Sequence, residues 1–179
     1  MRQEIPILRV LSHPVNLGVG EALRTLYGNA RGALVCFLPA DGQVPPSQVP
    51  ALLAGLAHYD VVIGHRVRRR DPFWRRWSAL VYNASLRLLF GLCLCDVDSV
   101  TLFRREALEV AAVRSRGIIM CAELLLRARD RGFRIGEVPV EHHPRHLGSQ
   151  TGGRPHFIFT AMRELILLRL RVWGDSPAG

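Results

Sequence analysis

Short apolar runs alternate along the chain with longer segments in which apolar residues recur every three or four positions. The short runs predict β-strands, and the periodic segments predict helices that each bury one face. Strands are predicted at about 6–11, 33–38, 60–64, 99–104 and 133–141. Helices are predicted at about 19–31, 47–57, 74–90, 120–131 and 156–172. The alternation is typical of an α/β fold in which helices flank a mostly parallel sheet.

The chain length and the remaining segments indicate one domain, residues 1–179, without an internal repeat or a linker. A mobile loop is expected at 143–155, where glycine and polar residues accumulate. The last helix, 156–172, is amphipathic. Its apolar face predicts packing against the core in the first place, and contact with a membrane surface in the second, through Phe157, Ile158, Met162, Leu165 and Ile166.

The charge balance indicates a partner that carries phosphate. All 24 basic residues are arginines, and with 15 acidic residues the net charge is +9. A guanidinium group holds two phosphate oxygens at once, so a nucleotide or an acidic membrane surface fits this composition. Nucleic acid does not, because the sequence has no zinc-finger spacing, no aromatic ribonucleoprotein motif and no basic helix with base-reading Asn and Gln.

The cysteines and the N-terminal residues indicate a cytoplasmic protein. Cys93 and Cys95 have no histidine or second cysteine pair at zinc-site spacing, so all four cysteines are interpreted as buried thiols in a reducing compartment. The segment 1–14 lacks the apolar core of a signal peptide. No apolar run approaches the ~18 residues that a membrane span needs.

Four polar clusters follow or adjoin the predicted strands. They are Asp41-Gly42-Gln43, Gly64-His65-Arg66, Asp96-Val97-Asp98-Ser99 and His142-His143-Pro144-Arg145. Ligands of open α/β sheets bind beyond the carboxyl ends of the strands, so these clusters are candidates for one shared site.

Five stretches of the chain resemble, in order, the motifs of one enzyme family. The stretches are HPVNLGVGEALRTLYGNARG, FLPADGQVPP, VVIGHRVRR, DVDSVTLFRREAL and CAELLLRARDRGFRIGEVPVEHHPRHLGSQ. They are similar to family 2 of the inverting glycosyltransferases, in particular to dolichyl-phosphate mannose synthases and bacterial polyprenyl-phosphate sugar transferases. The resemblance runs from about His13 to Arg171. It implies part of a nucleotide-diphospho-sugar transferase fold, which is Rossmann-like.

The resemblance implies a metal site at Asp41. In the family this aspartate belongs to a D-x-D pair that holds a divalent cation, Mg²⁺ or Mn²⁺, against the diphosphate of the sugar nucleotide, and both cations favour oxygen ligands. Here Pro39 takes the place of the first aspartate. Gln43, in the same motif, is expected to contact the substrate. The alternative for Asp41 is a simple Asp-Gly turn.

The same resemblance implies that three arginines contact phosphate. Arg66 matches the arginine of the family's G-x-R, Arg145 matches that of H-x-P-R on a loop that closes over the site, and Arg76 is a weaker candidate. The alternative for each is a solvated surface charge.

Asp96 matches the aspartate of D-x-x-S-G, which implies a general base that accepts a proton from an attacking hydroxyl. If the acceptor is a lipid phosphate, its oxygen is already anionic, and Asp96 orients a group or supports the metal instead. Asp98 remains an alternative, and Val100 stands where the family has glycine. Glu137 is interpreted as structural.

The resemblance implies transfer of a sugar from a nucleoside-diphosphate sugar to a polyprenyl phosphate, with inversion, at the inner face of the cell membrane. The family's N-terminal P-x-Y-N-E and D-D-G-S segments have no counterpart here, so the domain is expected to be N-terminally incomplete: a fragment, a decayed copy or a partner-dependent chain. The alternative function is a non-catalytic or degenerate protein that binds a membrane surface.

Overall fold

The structure is a computed structural model that describes residues 8–67, 73–111, 113–115, 117, 119–144 and 155–174. The strands are β1 Leu34–Phe37, β2 Val61–Val67, β3 Thr101–Arg104 and β4 Ile135–Glu141. The helices are α1 Val19–Asn29, α2 Val49–Gly55, α3 Phe73–Phe90, α4 Arg105–Val110, α5 Met120–Asp130 and α6 Pro155–Gly174. A short 3-10 helix, Pro46–Gln48, precedes α2.

The predicted elements are confirmed with two exceptions. The strand predicted at 6–11 is wrong over 8–11, where the chain is irregular and Leu8 and Val10 are exposed. Apolar residues alone do not make a strand, because a strand also needs a hydrogen-bonded neighbour, and the described sheet has none beside this segment. The second exception is α4, six residues that follow β3 directly and are too short to show helical periodicity.

The four described strands form one mixed sheet in the order β1-β3-β2-β4. β3 runs antiparallel to both β1 and β2, and β2 runs parallel to β4. Three of the four strands therefore point the same way, which confirms the α/β prediction. The carboxyl ends of these three strands and the start of β3 lie at the same edge of the sheet.

Hydrophobic residues cover both faces of the sheet. Val61 and Ile63 of β2 face the larger core with Leu86, Leu125 and Leu165, which come from α3, α5 and α6. Val62 faces the opposite way, as the strand alternation requires, and packs with Leu52 of α2, Leu102 and Val140. Each such fully buried side chain contributes roughly 1.5–3 kcal/mol.

The exposure of the cysteine side chains corrects one expectation. Cys36, Cys93 and Cys95 are exposed and Cys121 is half-buried, so the prediction of buried thiols is wrong for three of the four. Loop and edge positions explain the difference, since an apolar neighbourhood in sequence does not guarantee a position under another element.

Among the described residues, no helix combines the length and the apolar character needed to cross a membrane.

Candidate functional site

A cavity of about 330 Å³ opens at the edge of the sheet where three strands end and β3 begins. Its polar lining comes from the loop after β1, the end of β2 and the loop before β3, through Asp41, Gln43, Arg66, Asp98 and Ser99, with His142 after β4. Apolar walls come from α1 and α5. Residues from all four predicted polar clusters thus reach this one cavity.

The loop after β1 presents Asp41 through a tight turn. Oδ1 of Asp41 accepts a hydrogen bond from the backbone N–H of Gln43 at 3.1 Å. Gly42 between them has a φ of 74°, in the left-handed region that glycine adopts without strain. Gln43 is buried, and its carbonyl oxygen accepts a hydrogen bond from His143 N–H at 2.8 Å. Asp41 therefore forms the Asp-Gly turn and also lines the cavity.

The residues around the cavity fit a hard divalent cation. Asp41 and Asp98 both line it and both offer carboxylate oxygens, which Mg²⁺ and Mn²⁺ favour. Pro39 also lines the cavity and offers no side-chain oxygen. A cation here would take its protein ligands from two different loops instead of from one D-x-D pair.

Arg66 and Asp96 form a buried, two-pronged ion pair. Nε of Arg66 donates to Oδ2 of Asp96 at 2.6 Å, and Nη2 donates to Oδ1 at 2.5 Å. The backbone N–H of Arg66 also donates to Oδ2, at 3.3 Å. The Asp96 side chain is 5% exposed and that of Arg66 is 12% exposed, so water screens the pair little.

The two aspartates of the loop before β3 have different surroundings. Asp98 is exposed and lines the cavity, whereas Asp96 is buried and does not line it. Burial raises the pKa of the Cys121 thiol, in the same cavity wall, to about 12, and the charge of Asp98 adds to that shift. Cys121 therefore stays protonated and is not a nucleophile at neutral pH.

Glu137 holds the loop that carries both aspartates. Its carboxylate accepts hydrogen bonds from the backbone N–H of Cys95 at 2.9 and 3.0 Å and from that of Asp96 at 3.0 Å. Motif spacing does not predict this contact. A carboxylate inside the apolar strand β4 was the available signal, because such a group needs a partner.

The remaining predicted positions fall outside this arrangement. Arg76 is exposed on α3 and does not line the cavity, while Arg145 lies outside the described residues. Val100, which stands where the family pattern has glycine, is 1% exposed and packs in the core beside Gly64. The carbonyl of Val100 accepts the Gly64 N–H at 2.8 Å, so valine fits this backbone.

A second depression, of about 360 Å³, lies between α3 and α6 and is lined by Phe73, Trp74, Trp77, Ser78, Val81 and Ile158. Phe73, Trp74 and Trp77 are 75%, 48% and 57% exposed. The expectation that α6 packs against the core is confirmed at Leu165, which is buried with Leu168, and at Met162, which packs against the core. It is wrong for Ile166, which is 55% exposed.

The fold is shared with solved glycosyltransferases. A structure of glucosyl-3-phosphoglycerate synthase from Mycobacterium tuberculosis with Mg²⁺ and UDP matches with a TM-score of 0.64 at 21% identity, over 92% of this chain and 57% of that one. A structure of the same enzyme with Mn²⁺, UDP-glucose and phosphoglyceric acid matches with a TM-score of 0.60 at 23% identity, over 98% and 60%. The expected nucleotide-diphospho-sugar transferase fold is confirmed.

The sequence comparisons define the family. The profile of glycosyl transferase family 2 matches residues 1–111, and the chain belongs to this family. An undecaprenyl-phosphate 4-deoxy-4-formamido-L-arabinose transferase of Pseudomonas paraeruginosa is 36% identical over 104 residues, 56% of this chain and 31% of the relative. The transferase of the same name from Pseudomonas fluorescens is 30% identical over 189 aligned positions, 99% of this chain and 54% of the relative. The chain thus spans about half or less of each relative's length.

Proposed function

We propose that the chain takes part in the transfer of a sugar from a nucleoside-diphosphate sugar to a polyprenyl phosphate. The transfer proceeds with inversion and with the help of Mg²⁺ or Mn²⁺. The observation that carries the proposal is the cavity in which Asp41, Asp98 and Arg66 meet at one edge of the sheet. The relatives named as undecaprenyl-phosphate transferases support the acceptor class, and the fold neighbour with UDP-glucose and Mn²⁺ supports the donor class.

The reaction is a displacement at the anomeric carbon of the sugar. An acceptor phosphate oxygen forms the new bond to this carbon, and the bond to the nucleoside diphosphate breaks on the opposite side, which inverts the configuration. A divalent cation, when bound, neutralises the negative charge that develops on the leaving diphosphate. Asp41 and Asp98 are the residues that would hold it.

Arg66 and Asp96 act as a unit in this proposal. The acceptor phosphate is already anionic at neutral pH, so its attack needs no general base. Asp96 accepts hydrogen bonds from Nε and Nη2 of Arg66, which fixes the guanidinium at the cavity wall. Asp96 therefore positions Arg66, and Arg66 faces the phosphate groups in the cavity. Gln43, which lines the cavity, is proposed to contact the substrate, and so is Arg145 on the grounds of its sequence motif alone.

The contact with the membrane is assigned to α3. Exposed tryptophan and phenylalanine side chains beside arginines are typical of protein surfaces that rest in the interface of an acidic bilayer. Phe73, Trp74 and Trp77 lie next to the exposed Arg76 at the start of this helix. The chain is accordingly proposed to act as a peripheral protein at the cytoplasmic face of the cell membrane. Arg76 contributes to lipid contact and not to the cavity.

A transfer assay tests the proposal. The purified chain is incubated with radiolabelled UDP-glucose or UDP-4-deoxy-4-formamido-L-arabinose, undecaprenyl phosphate and Mn²⁺ or Mg²⁺, and label in the lipid extract is counted. We expect labelled lipid that requires the cation and disappears with Asp41→Asn. Asp130→Asn is the matched control, because Asp130 is an exposed acid at the end of α5 and lines neither of the two cavities described above.

The second candidate function, a membrane-surface protein without catalysis, gives a different result. It rests on the exposed aromatic residues of α3 alone. Binding to anionic vesicles that is equal with and without nucleotide and cation, together with unlabelled lipid for every donor, would favour it over transfer.

A further inference from the structure

Three side chains with metal-binding atoms meet outside the cavity, within the part of the chain that the structure describes. His65 on β2, Cys95 before β3 and Glu137 on β4 each place one ligand atom within 4.8 Å of the other two. None of these residues lines the cavity that holds Asp41. The cluster is therefore distinct from the proposed diphosphate site.

The register of the sheet explains how the cluster forms. Ile63 of β2 pairs with Glu137 of β4, and His65 follows Ile63 by two residues, so His65 and Glu137 share one face. The loop before β3 crosses this face, because both carboxylate oxygens of Glu137 accept the Cys95 N–H. Three segments that are far apart in sequence are thus held together by backbone pairing and by one carboxylate.

We propose that His65, Cys95 and Glu137 bind a divalent cation of the zinc class, with water at the fourth position. An imidazole, a thiolate and a carboxylate form a ligand set that Zn²⁺ accepts, while Mg²⁺ and Mn²⁺ favour sites made of oxygen alone. Tetrahedral bonds of ~2.0–2.3 Å place ligand atoms roughly 3.3–3.8 Å apart. The ligand atoms lie within 4.8 Å of one another, so small side-chain rotations about χ bonds would bring them to this spacing.

The hydrogen bonds at Glu137 suit a metal ligand. Donors outside the coordination shell commonly fix the direction of a ligating carboxylate. Binding of the cation displaces the proton of the Cys95 thiol. The bound cation joins β2, β4 and the loop whose next residue, Asp96, holds Arg66. Its binding stabilises the position of that loop and raises the stability of the folded chain.

Cobalt spectroscopy tests the proposal without any activity measurement. The tag-free chain is freed of metal with a chelator and titrated with Co²⁺ under anaerobic conditions in a reductant that is not a thiol. We expect a thiolate-to-cobalt charge-transfer band and the visible bands of four-coordinate cobalt. An equimolar amount of Zn²⁺ removes these bands, and the same amount of Mg²⁺ leaves them.

Three variants assign the ligands. Cys95→Ser is expected to lose the charge-transfer band, and His65→Ala to bind Co²⁺ at least about tenfold more weakly. Cys93→Ser, an exposed thiol two residues away, is the matched control and keeps the band. A wild-type chain without the band, a band that persists in Cys95→Ser, or a band lost in Cys93→Ser would overturn the proposal. If Cys95→Ser is unfolded, His65→Ala decides: unchanged Co²⁺ affinity and an unchanged rise in Tm with Zn²⁺ overturn it.

Discussion

Nε and Nη2 of Arg66 grip the two carboxylate oxygens of Asp96 at 2.6 and 2.5 Å, at the end of β2. The pair joins a strand end to the loop before β3, and Glu137 holds the same loop through its backbone. Arg66 lines the cavity, while the buried carboxylate of Asp96 balances its charge. This contact therefore fixes the position of Arg66 relative to the loop that carries Asp96 and Asp98.

Asp96→Ala is expected to destabilise the fold by about 3–5 kcal/mol, because it leaves the Arg66 guanidinium buried without a partner. The double variant Arg66→Ala/Asp96→Ala should lose less than the sum of the two single variants, by roughly 1–3 kcal/mol. Urea unfolding of all four proteins measures this coupling. The exposed pair Arg105–Glu109 is the control, and Glu109→Ala should cost about 0.5 kcal/mol or less. Additive losses at Arg66 and Asp96 would contradict the account.

Asp98→Asn is expected to lower kcat for sugar transfer about 100-fold or more, because it removes one of the two carboxylates that are proposed to hold the cation. The fold should be unaffected, since Asp98 is exposed. Steady-state kinetics with Asp130→Asn alongside measures the effect. If Asp98→Asn is fully active while Asp96→Asn is folded but inactive, the catalytic role belongs to Asp96 and not to Asp98.

Glu123 is expected to make stability dependent on pH. Burial raises the pKa of this carboxyl, but hydrogen bonds from Ser115, Arg127 and Arg114 outweigh burial, and the pKa lies below its ordinary value of 4.5. The ionised group therefore stabilises the fold at pH values above about 4.5, and this contribution is lost as the pH falls through the lower folded-state pKa.

Glu123→Gln should accordingly be less stable than the wild type at neutral pH, by roughly 3 kcal/mol, since Arg127 loses its buried partner. The difference between the two proteins should shrink as the pH falls below about 4.5. Urea unfolding at several pH values measures both curves. A gap that stays constant down to pH 3 would show that the carboxylate charge is not responsible.

Trp74→Ala and Trp77→Ala are expected to weaken binding to vesicles of anionic phospholipid, each by about 1–3 kcal/mol of binding free energy, because each removes a large apolar surface from the interface. Sedimentation with sucrose-loaded vesicles measures the partition coefficient. Leu53→Ala is the matched control, since Leu53 is exposed on α2, which packs on the other face of the sheet. Equal losses for Leu53 and the tryptophans would argue against a specific membrane face.

The sequence predicted the elements well where pattern and topology agree. Val61, Val62 and Ile63 form a continuous apolar run, and this run alone predicts a strand. All three residues are buried, on both faces of the sheet. Residues 8–11 have a similar apolar character but lack a neighbour in the described sheet. Pairing depends on partners that are distant in sequence, so it is not visible in a local pattern.

The candidate site was predictable in part of its membership and not in its geometry. Asp41, Gln43 and Arg66 were singled out from motif spacing, and the structure brings all three to one cavity. The choice between Asp96 and Asp98 depends on which carboxylate turns toward Arg66, and two residues of spacing do not determine that direction. The role of Glu137 and the nearness of His65 to Cys95 arise from the pairing of β2 with β4, which no local motif reports.

Titration calorimetry with UDP tests whether Asp41 helps to hold a cation against a diphosphate. The wild-type chain is titrated in Mn²⁺ and again in EDTA, with GDP in parallel, and Asp41→Ala and Asp130→Asn follow under the same conditions. We expect binding of a nucleoside diphosphate that requires Mn²⁺, is weakened at least about tenfold by Asp41→Ala, and is unchanged by Asp130→Asn. Binding of equal strength in EDTA, or in Asp41→Ala with Mn²⁺, would contradict it.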